Sequence, residues 1–247
     1  MNIDVLTLFP EMFEPIVGGS ILGRALDKGI LNITTTDIRD FSHDKHNKAD
    51  DYPFGGGGGM VMMADPIFGA MESVNAGSKK VIYMSPRGKI LNQDKIEELS
   101  KVNDLVILCG HYEGVDQRAL DYWNAEEISI GDYVLTGGEL PAMVLIDSVA
   151  RLLPDVLGNA NSALDESVYS GLLEHPQYTK PREYRGMDVP EVLVSGNHKL
   201  IDEWKFKKAL ELTKERRPDM LEAYIEDFER FTKSEKKLIE EIMKRKL

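Results

Sequence analysis

The sequence predicts an α/β protein with a mostly parallel sheet, followed by a smaller helical region. Three observations carry that expectation. Short apolar β-type runs at 81–84, 105–109 and 127–130 each lead into a glycine-bearing loop and then a segment of helical spacing. Alternation of this kind argues for parallel strands joined by crossovers. Beyond residue 197 the pattern changes to helices alone, and residues 154–170, which include Gly158-Asn159-Ala160-Asn161-Ser162, have linker composition.

Taken in order, residues 3–8 read as a buried first strand closed by Phe9-Pro10. Residues 11–28 have helical spacing (Met12, Ile16, Ile21, Leu22, Leu26) that Pro15 and Gly18-Gly19 should interrupt, and Gly29 ends. A second strand is expected over 30–38 around Ile33-Thr34-Thr35-Thr36. Residues 39–59 are polar, then glycine-rich, and show no apolar period; loops this long are uncommon unless functional or disordered. Asp65 with Pro66 is expected to cap a helix running to about Asn75. Helices are expected over 92–100, near 115–122 and over 139–153, the last with enough apolar side chains to be deeply buried. Three more follow at 198–213, 218–230 and 234–246, with Pro218 and Ser234 supplying starts.

Composition excludes several classes. The chain has 247 residues, 42% apolar and 29% charged, which suits a globular protein of one large domain or two modest ones. No run approaches a membrane span, and Met1-Asn2-Ile3-Asp4 lacks an export signal, so a cytoplasmic protein without membrane attachment is expected. Cys109 is the single cysteine, set in an apolar run where a small buried hydrophobe is its expected role. The net charge of −12 argues against indiscriminate nucleic-acid binding. That charge is unevenly placed: residues 1–160 carry 13 basic and 24 acidic side chains, while 180–217 carry 10 basic against 7 acidic, leaving room for a local positive patch.

The central stretch is Ser129-Ile130-Gly131-Asp132-Tyr133-Val134-Leu135-Thr136-Gly137-Gly138-Glu139-Leu140-Pro141. Glycines let backbone approach a flat ligand without interference from Cβ, and Ser129, Asp132 and Thr136 can bond the loop's own backbone or a guest. Two further loops, Ser85-Pro86-Arg87-Gly88 and Gly110-His111-Tyr112-Glu113-Gly114, also follow β-type runs. Ligands of open α/β sheets bind at the carboxyl ends of neighbouring strands, so the three loops are read as one pocket. The run 55–59 is all glycine but is followed by no Gly-Lys-Ser/Thr, which excludes a phosphate loop; it can lie against a planar base, hinge as a lid, or simply be flexible. His43-Asp44-Lys45-His46 lacks helical period and carries opposing lysines, so no protein-bound metal is assigned there; its polar side chains suit hydrogen bonds to a substrate base. Asp165-Glu166, with Arg151 upstream, can form a salt bridge or serve as a general base whose ionised form an arginine favours. Tyr112 and Trp204 are expected to pack rather than stack.

Together these stretches resemble the bacterial tRNA (guanine-37-N1)-methyltransferase family of the SPOUT superfamily. The resemblance runs from Leu8-Phe9-Pro10-Glu11-Met12-Phe13, through His43-Asp44-Lys45-His46, Asp50-Asp51-Tyr52-Pro53-Phe54-Gly55-Gly56-Gly57 and the loops above, to Leu193-Val194-Ser195-Gly196-Asn197-His198 and Arg216-Arg217-Pro218-Asp219. It implies a trefoil-knotted, mostly parallel domain at 1–160 holding S-adenosylmethionine. A linker at 161–172 and a small all-α tRNA-binding domain at 173–247 would follow. The implied cofactor residues are Tyr83, Ser85, Pro86, Gly110, Tyr112, Glu113, Gly114, Ser129, Ile130, Gly131, Asp132, Tyr133, Val134, Leu135, Gly137, Gly138 and Pro141. Substrate contacts are implied at His43, Asp50, Gly56 and His198, and tRNA and a second copy of the chain are the implied partners, with active sites shared across a homodimer. Mg²⁺ is also implied by the resemblance, with no residue assigned as its ligand.

By register on Gly171-Leu172-Leu173, the family's catalytic aspartate position falls on Glu166, Asp165 is the alternative after a one-residue shift, and Arg151 matches the assisting arginine. Glu has similar acidity to Asp, so the proton chemistry survives the exchange. Lys180, Lys205 and Leu212 stand where arginines are common, which alters the phosphate-contacting geometry expected there. The competing expectations are a knotted RNA methyltransferase with another target nucleotide, a cofactor- and RNA-binding protein without turnover, and an oxidoreductase, the last opposed by the missing dinucleotide fingerprint.

Overall fold

A computed structural model describes residues 1–157 and 170–244. The chain forms two compact units, Met1–Ala160 and Asn161–Leu247. The first contains β1 (Asn2–Thr7), α1 (Glu14–Val17), α2 (Ser20–Asp27), β2 (Asn32–Asp37), β3 (Asp50–Asp51), β4 (Val61–Met62) and α3 (Ala64–Ser73). It continues with β5 (Lys80–Ile90), α4 (Gln93–Ser100), β6 (Asp104–Cys109), α5 (Gln117–Tyr122), β7 (Glu126–Ser129) and α6 (Glu139–Ala150).

Five strands form one sheet in the order β2-β1-β6-β5-β7, every pair parallel. The side chains of β5 and β6 alternate between two cores. Ile82, Met84, Leu105, Ile107 and Cys109 pack with α2, α4 and α6, whereas Val81, Tyr83, Val106 and Leu108 pack with α3 and α5. Burial on both faces is why these strands read as unbroken apolar runs.

Local differences from the sequence expectation have identifiable causes. The first helix breaks at Gly18-Gly19 as expected, but Pro15 sits in the first turn of α1, where its missing N–H costs nothing. Asp65 does not cap α3. The cap position is Met63, and the Asp65 carboxylate is engaged by His43 instead. Ser85-Pro86-Arg87-Gly88 is not a free loop after β5 but a bulge within it: Met84 and Lys89 both register with Ile128 of β7, and the strand resumes through Ile90.

The second unit contains β8 (Glu183–Tyr184), β9 (Met187–Asp188), α7 (Glu191–Val194), α8 (His198–Arg216), α9 (Pro218–Ile225) and α10 (Lys233–Lys244). Its core gathers Leu172, Ala209, Leu210, Leu221, Phe231, Ile239 and Ile242. Asn197 caps α8, accepting from the Leu200 N–H. Thr232 and Glu235 cap α10 reciprocally: Thr232 N–H donates to the Glu235 carboxylate at 2.8 Å and Glu235 N–H donates to the Thr232 hydroxyl at 3.3 Å. The start expected at Ser234 therefore belongs to Thr232. The region expected to be all helical also holds the β8–β9 hairpin, turned by Arg185 and Gly186 at φ of 55° and 80°. Trp204 packs against His175 and Tyr178, with ring centroids at 6.0 and 6.3 Å. Among the described residues no helix is long and apolar enough to cross a membrane.

Candidate active site

Because β6, β5 and β7 are adjacent and parallel, their carboxyl ends open at one edge of the sheet. The bulge of β5, residues 110–115 after β6 and residues 130–138 after β7 enclose a cavity of about 280 Å³. The two loops are clasped: Gly138 N–H donates to the Gly110 carbonyl at 2.8 Å, and His111 bridges Gly137. A Cβ at Gly138 would stand 2.8 Å from both Cys109 Cα and Gly110 N, so glycine alone permits this approach.

Every residue expected to contact the cofactor lines this cavity except Asp132, whose side chain is exposed outside the lining. The structure adds Met84, Arg87, His111, Val115, Ile128 and Thr136. Arg87, His111 and Thr136 lie inside the quoted motifs, where the neighbouring glycines are the available signal, and Met84, Val115 and Ile128 directly flank them. Arg87 extends from the bulge and grips Glu127 through Nε at 3.1 Å and Nη2 at 3.0 Å. The phenol of Tyr83 is buried, which raises its pKa and keeps it a neutral donor. Tyr112 departs from the packing expectation: it is 50% exposed and its backbone is left-handed at φ 58°. Such a conformation costs a bulky residue about 1–2 kcal/mol and is held by the surrounding loop contacts.

Beneath the cavity runs a polar chain that sequence reading did not anticipate. Glu139, the first residue of α6, is 1% exposed. Its Oε1 accepts from the Thr7 hydroxyl at 2.6 Å, and its Oε2 lies 2.8 Å from His111 Nε2. The His111 ring rests against Phe9, centroids 4.8 Å apart. The end of β1, the loop after β6 and the start of α6 are thus tied through one carboxyl group.

The remaining sequence candidates belong to several elements. His43 is exposed and bonded to Asp65 at 2.9 Å, Asp50 pairs with Met62 in the β3–β4 ribbon, and Gly56 lies in an exposed loop at φ 78°. Arg151 closes α6, and His198 opens α8 in the second unit. Asp165 and Glu166 lie outside the described residues. No three His, Cys, Asp or Glu side chains among the described residues form a group suited to a metal ion.

The lining suits a nucleoside with a charged tail. Ile130, Leu135 and Pro141 offer apolar surface for a flat ring, the Gly110 and Gly138 backbones form a cradle a Cβ would fill, and Glu113 supplies a carboxylate for a cationic group.

Known proteins share most of this sequence. A family model described as tRNA (Guanine-1)-methyltransferase TrmD matches residues 1–223. A tRNA (guanine-N(1)-)-methyltransferase of Ruminiclostridium cellulolyticum is 55% identical over 223 residues, covering 89% of this chain and 96% of the relative. Its counterpart in Alkaliphilus oremlandii is 53% identical across 100% of both chains, and that of Geobacillus kaustophilus is 55% identical over 91% of this chain and 93% of its own. The chain belongs to the tRNA (guanine-1)-methyltransferase family.

Proposed function

We propose that this protein transfers the methyl group of S-adenosylmethionine to N1 of guanine-37 in tRNA, and that the cavity between β5, β6 and β7 holds the methyl donor. The observation that carries this reading is the convergence of two glycine loops and the glycine-bearing bulge of β5 on one cavity in a chain of this family. When bound, S-adenosylmethionine supplies a methyl group on a sulfonium, an electrophile that needs alignment more than acid. Residues of the two loops and the bulge orient it, and positioning of this kind contributes several kcal/mol, on the order of 7 or more for well-aligned reactants.

Guanine N1 carries a proton and is a poor nucleophile until that proton leaves. In this proposal the Glu166 carboxylate accepts the N1 proton as N1 takes the methyl group, leaving 1-methylguanine and S-adenosylhomocysteine. Arg151 stabilises the charge that develops on O6. His43, Asp50, Gly56 and His198 would contact the tRNA, and residues 173–247 would supply much of its binding surface. The proposal also includes a knotted path for the first unit, a homodimer, a cytoplasmic setting and Mg²⁺ as an accessory ion. Support for the homodimer comes from apolar side chains left open, with Val134 of the cavity lining 83% exposed and Leu140 and Val144 of α6 half exposed.

The test is single-turnover methylation of an unmodified tRNA transcript with guanine at position 37. Glu166→Gln should bind S-adenosylmethionine normally and slow transfer about 10²-fold or more. Asp165→Asn should leave the rate unchanged; loss in that variant alone would move the base to Asp165. Wild-type protein that binds the donor without turnover would overturn the assignment.

A further inference from the structure

We propose that Phe54, with Tyr52 two positions before it, is a stacking platform for an RNA base next to the target nucleotide. This inference rests on the proposed methylation of a guanine in a tRNA loop. Phe54 is 102% exposed and Tyr52 78% exposed, the two most exposed Phe, Tyr or Trp residues among the described residues. They sit in the connection between β3 and β4, whose antiparallel pairing sets Asp50 against Met62 and Asp51 against Val61.

The far end of that connection is stitched to the cavity. Glu113 N–H donates to the Met60 carbonyl at 3.0 Å, Met62 N–H donates to the Gly114 carbonyl at 2.9 Å, and Asp116 N–H donates to the Met62 carbonyl at 2.9 Å. Gly59 lies against the Glu113 carboxylate, since a Cβ there would fall 2.5 Å from Oε1. Residues 55–58 have nothing within reach of an added Cβ, and three of those four glycines have positive φ. The glycine run is therefore sterically open over 55–58, seated at its Gly59 end against a residue that lines the cavity, and preceded by two bare rings.

Two aromatic rings exposed to water, two positions apart and next to an unencumbered glycine run, match the chemistry of single-stranded RNA, whose unstacked bases are bound through their π faces whatever their identity. A base withdrawn from its stack for modification leaves the neighbouring base with an uncovered face. An aromatic ring can cover that face and hold the loop open. Leucine in place of Phe54 keeps apolar character but removes the flat face.

The experiment uses the full-length protein and a tRNA transcript carrying 2-aminopurine beside guanine-37. Wild type should quench the probe on binding. Phe54→Leu should abolish the quench and raise the KM for tRNA about tenfold, with S-adenosylmethionine affinity and kcat at saturating tRNA unchanged; Phe54→Trp should restore both readouts. Tyr52→Leu should give a smaller change in the same direction. A Phe54→Leu protein that methylates guanine-37, quenches and binds tRNA like wild type would overturn the platform while leaving the proposed function intact. Weakened S-adenosylmethionine binding at unchanged tRNA affinity would make the ring a cover for the cavity and also overturn it. Failure of wild type to methylate guanine-37 would remove the proposed function, and the platform with it.

Discussion

Glu139→Ala should destabilise the first unit substantially, because both carboxyl oxygens are committed in a site with almost no access to water. The Thr7 hydroxyl bonds one oxygen at 2.6 Å and His111 Nε2 lies 2.8 Å from the other, with Glu139 1% and Thr7 0% exposed. Leaving a buried polar partner unsatisfied costs about 1–3 kcal/mol. The buried Thr7 hydroxyl is such a partner, whereas His111, with a side chain 17% exposed, can be rehydrated in part; with the loss of an acidic residue from the first turn of α6 the total is roughly 3 kcal/mol. For a unit of this size, that corresponds to a fall in Tm of about 10 °C. Glu139→Gln is the informative control. Its amide oxygen can accept from Thr7 and its amide N–H can donate to His111 Nε2, so most of the loss should be recovered. Differential scanning calorimetry of the three proteins checks the argument. Equal melting of the alanine and glutamine variants, or an alanine variant within about 2 °C of wild type, would show that the Thr7–Glu139–His111 chain does not hold the cavity loops.

Three further outcomes follow from other parts of the molecule. Gly138→Ala places a Cβ 2.8 Å from Cys109 Cα and Gly110 N, so the clasp between the two loops must open; calorimetric titration should show S-adenosylmethionine affinity reduced about tenfold or more, against a stability loss of ~1–3 kcal/mol. The pKa of His43 is raised above 6.5 by its hydrogen bond to Asp65 and by that carboxylate's charge, while the same bond lowers that of Asp65. The histidine's contribution to stability is thus complete below about pH 6.5 and lost as pH rises through the raised native value, whereas that of Asp65 is lost only as pH falls through its lowered value. NMR titration should find His43 above its ordinary value in wild type and returned towards it in Asp65→Asn. Burial pushes the Cys109 thiol well up, with the Glu139 charge adding to the effect, so a thiol reagent should label the protein only at the rate of unfolding.

Much of the core was legible because its signals are local. The runs 81–84 and 105–109 are apolar on both faces and give β5 and β6 their places inside the sheet. The glycine loops after them identified most of the cavity lining, since glycine marks close backbone approach whatever the surrounding topology. Other features resisted for equally physical reasons. Pro86, Arg87 and Gly88 resemble a loop, yet β5 continues through them because β7, some 40 residues later, supplies a pairing edge for a bulged strand. Asp65 has the identity of a cap, but a histidine 22 residues earlier competes for its carboxylate. Tyr112 reads as a packing residue until its left-handed backbone turns it outward.

By itself, the sequence determined the alternation of strands and helices, the glycine positions that allow a cavity, and the motif blocks that mark the family. Those depend on the conformational preferences of single residues and on short periodicities, which a chain carries before it folds. Only the tertiary structure decided that Thr7, His111 and Glu139 share one carboxyl group, that Gly138 seats against Gly110, and that Gly59 abuts Glu113 while Phe54 stays bare. These are contacts between segments separated by up to 132 positions in the chain. They arise when a parallel sheet brings strand ends together, and no local preference encodes which ends will meet.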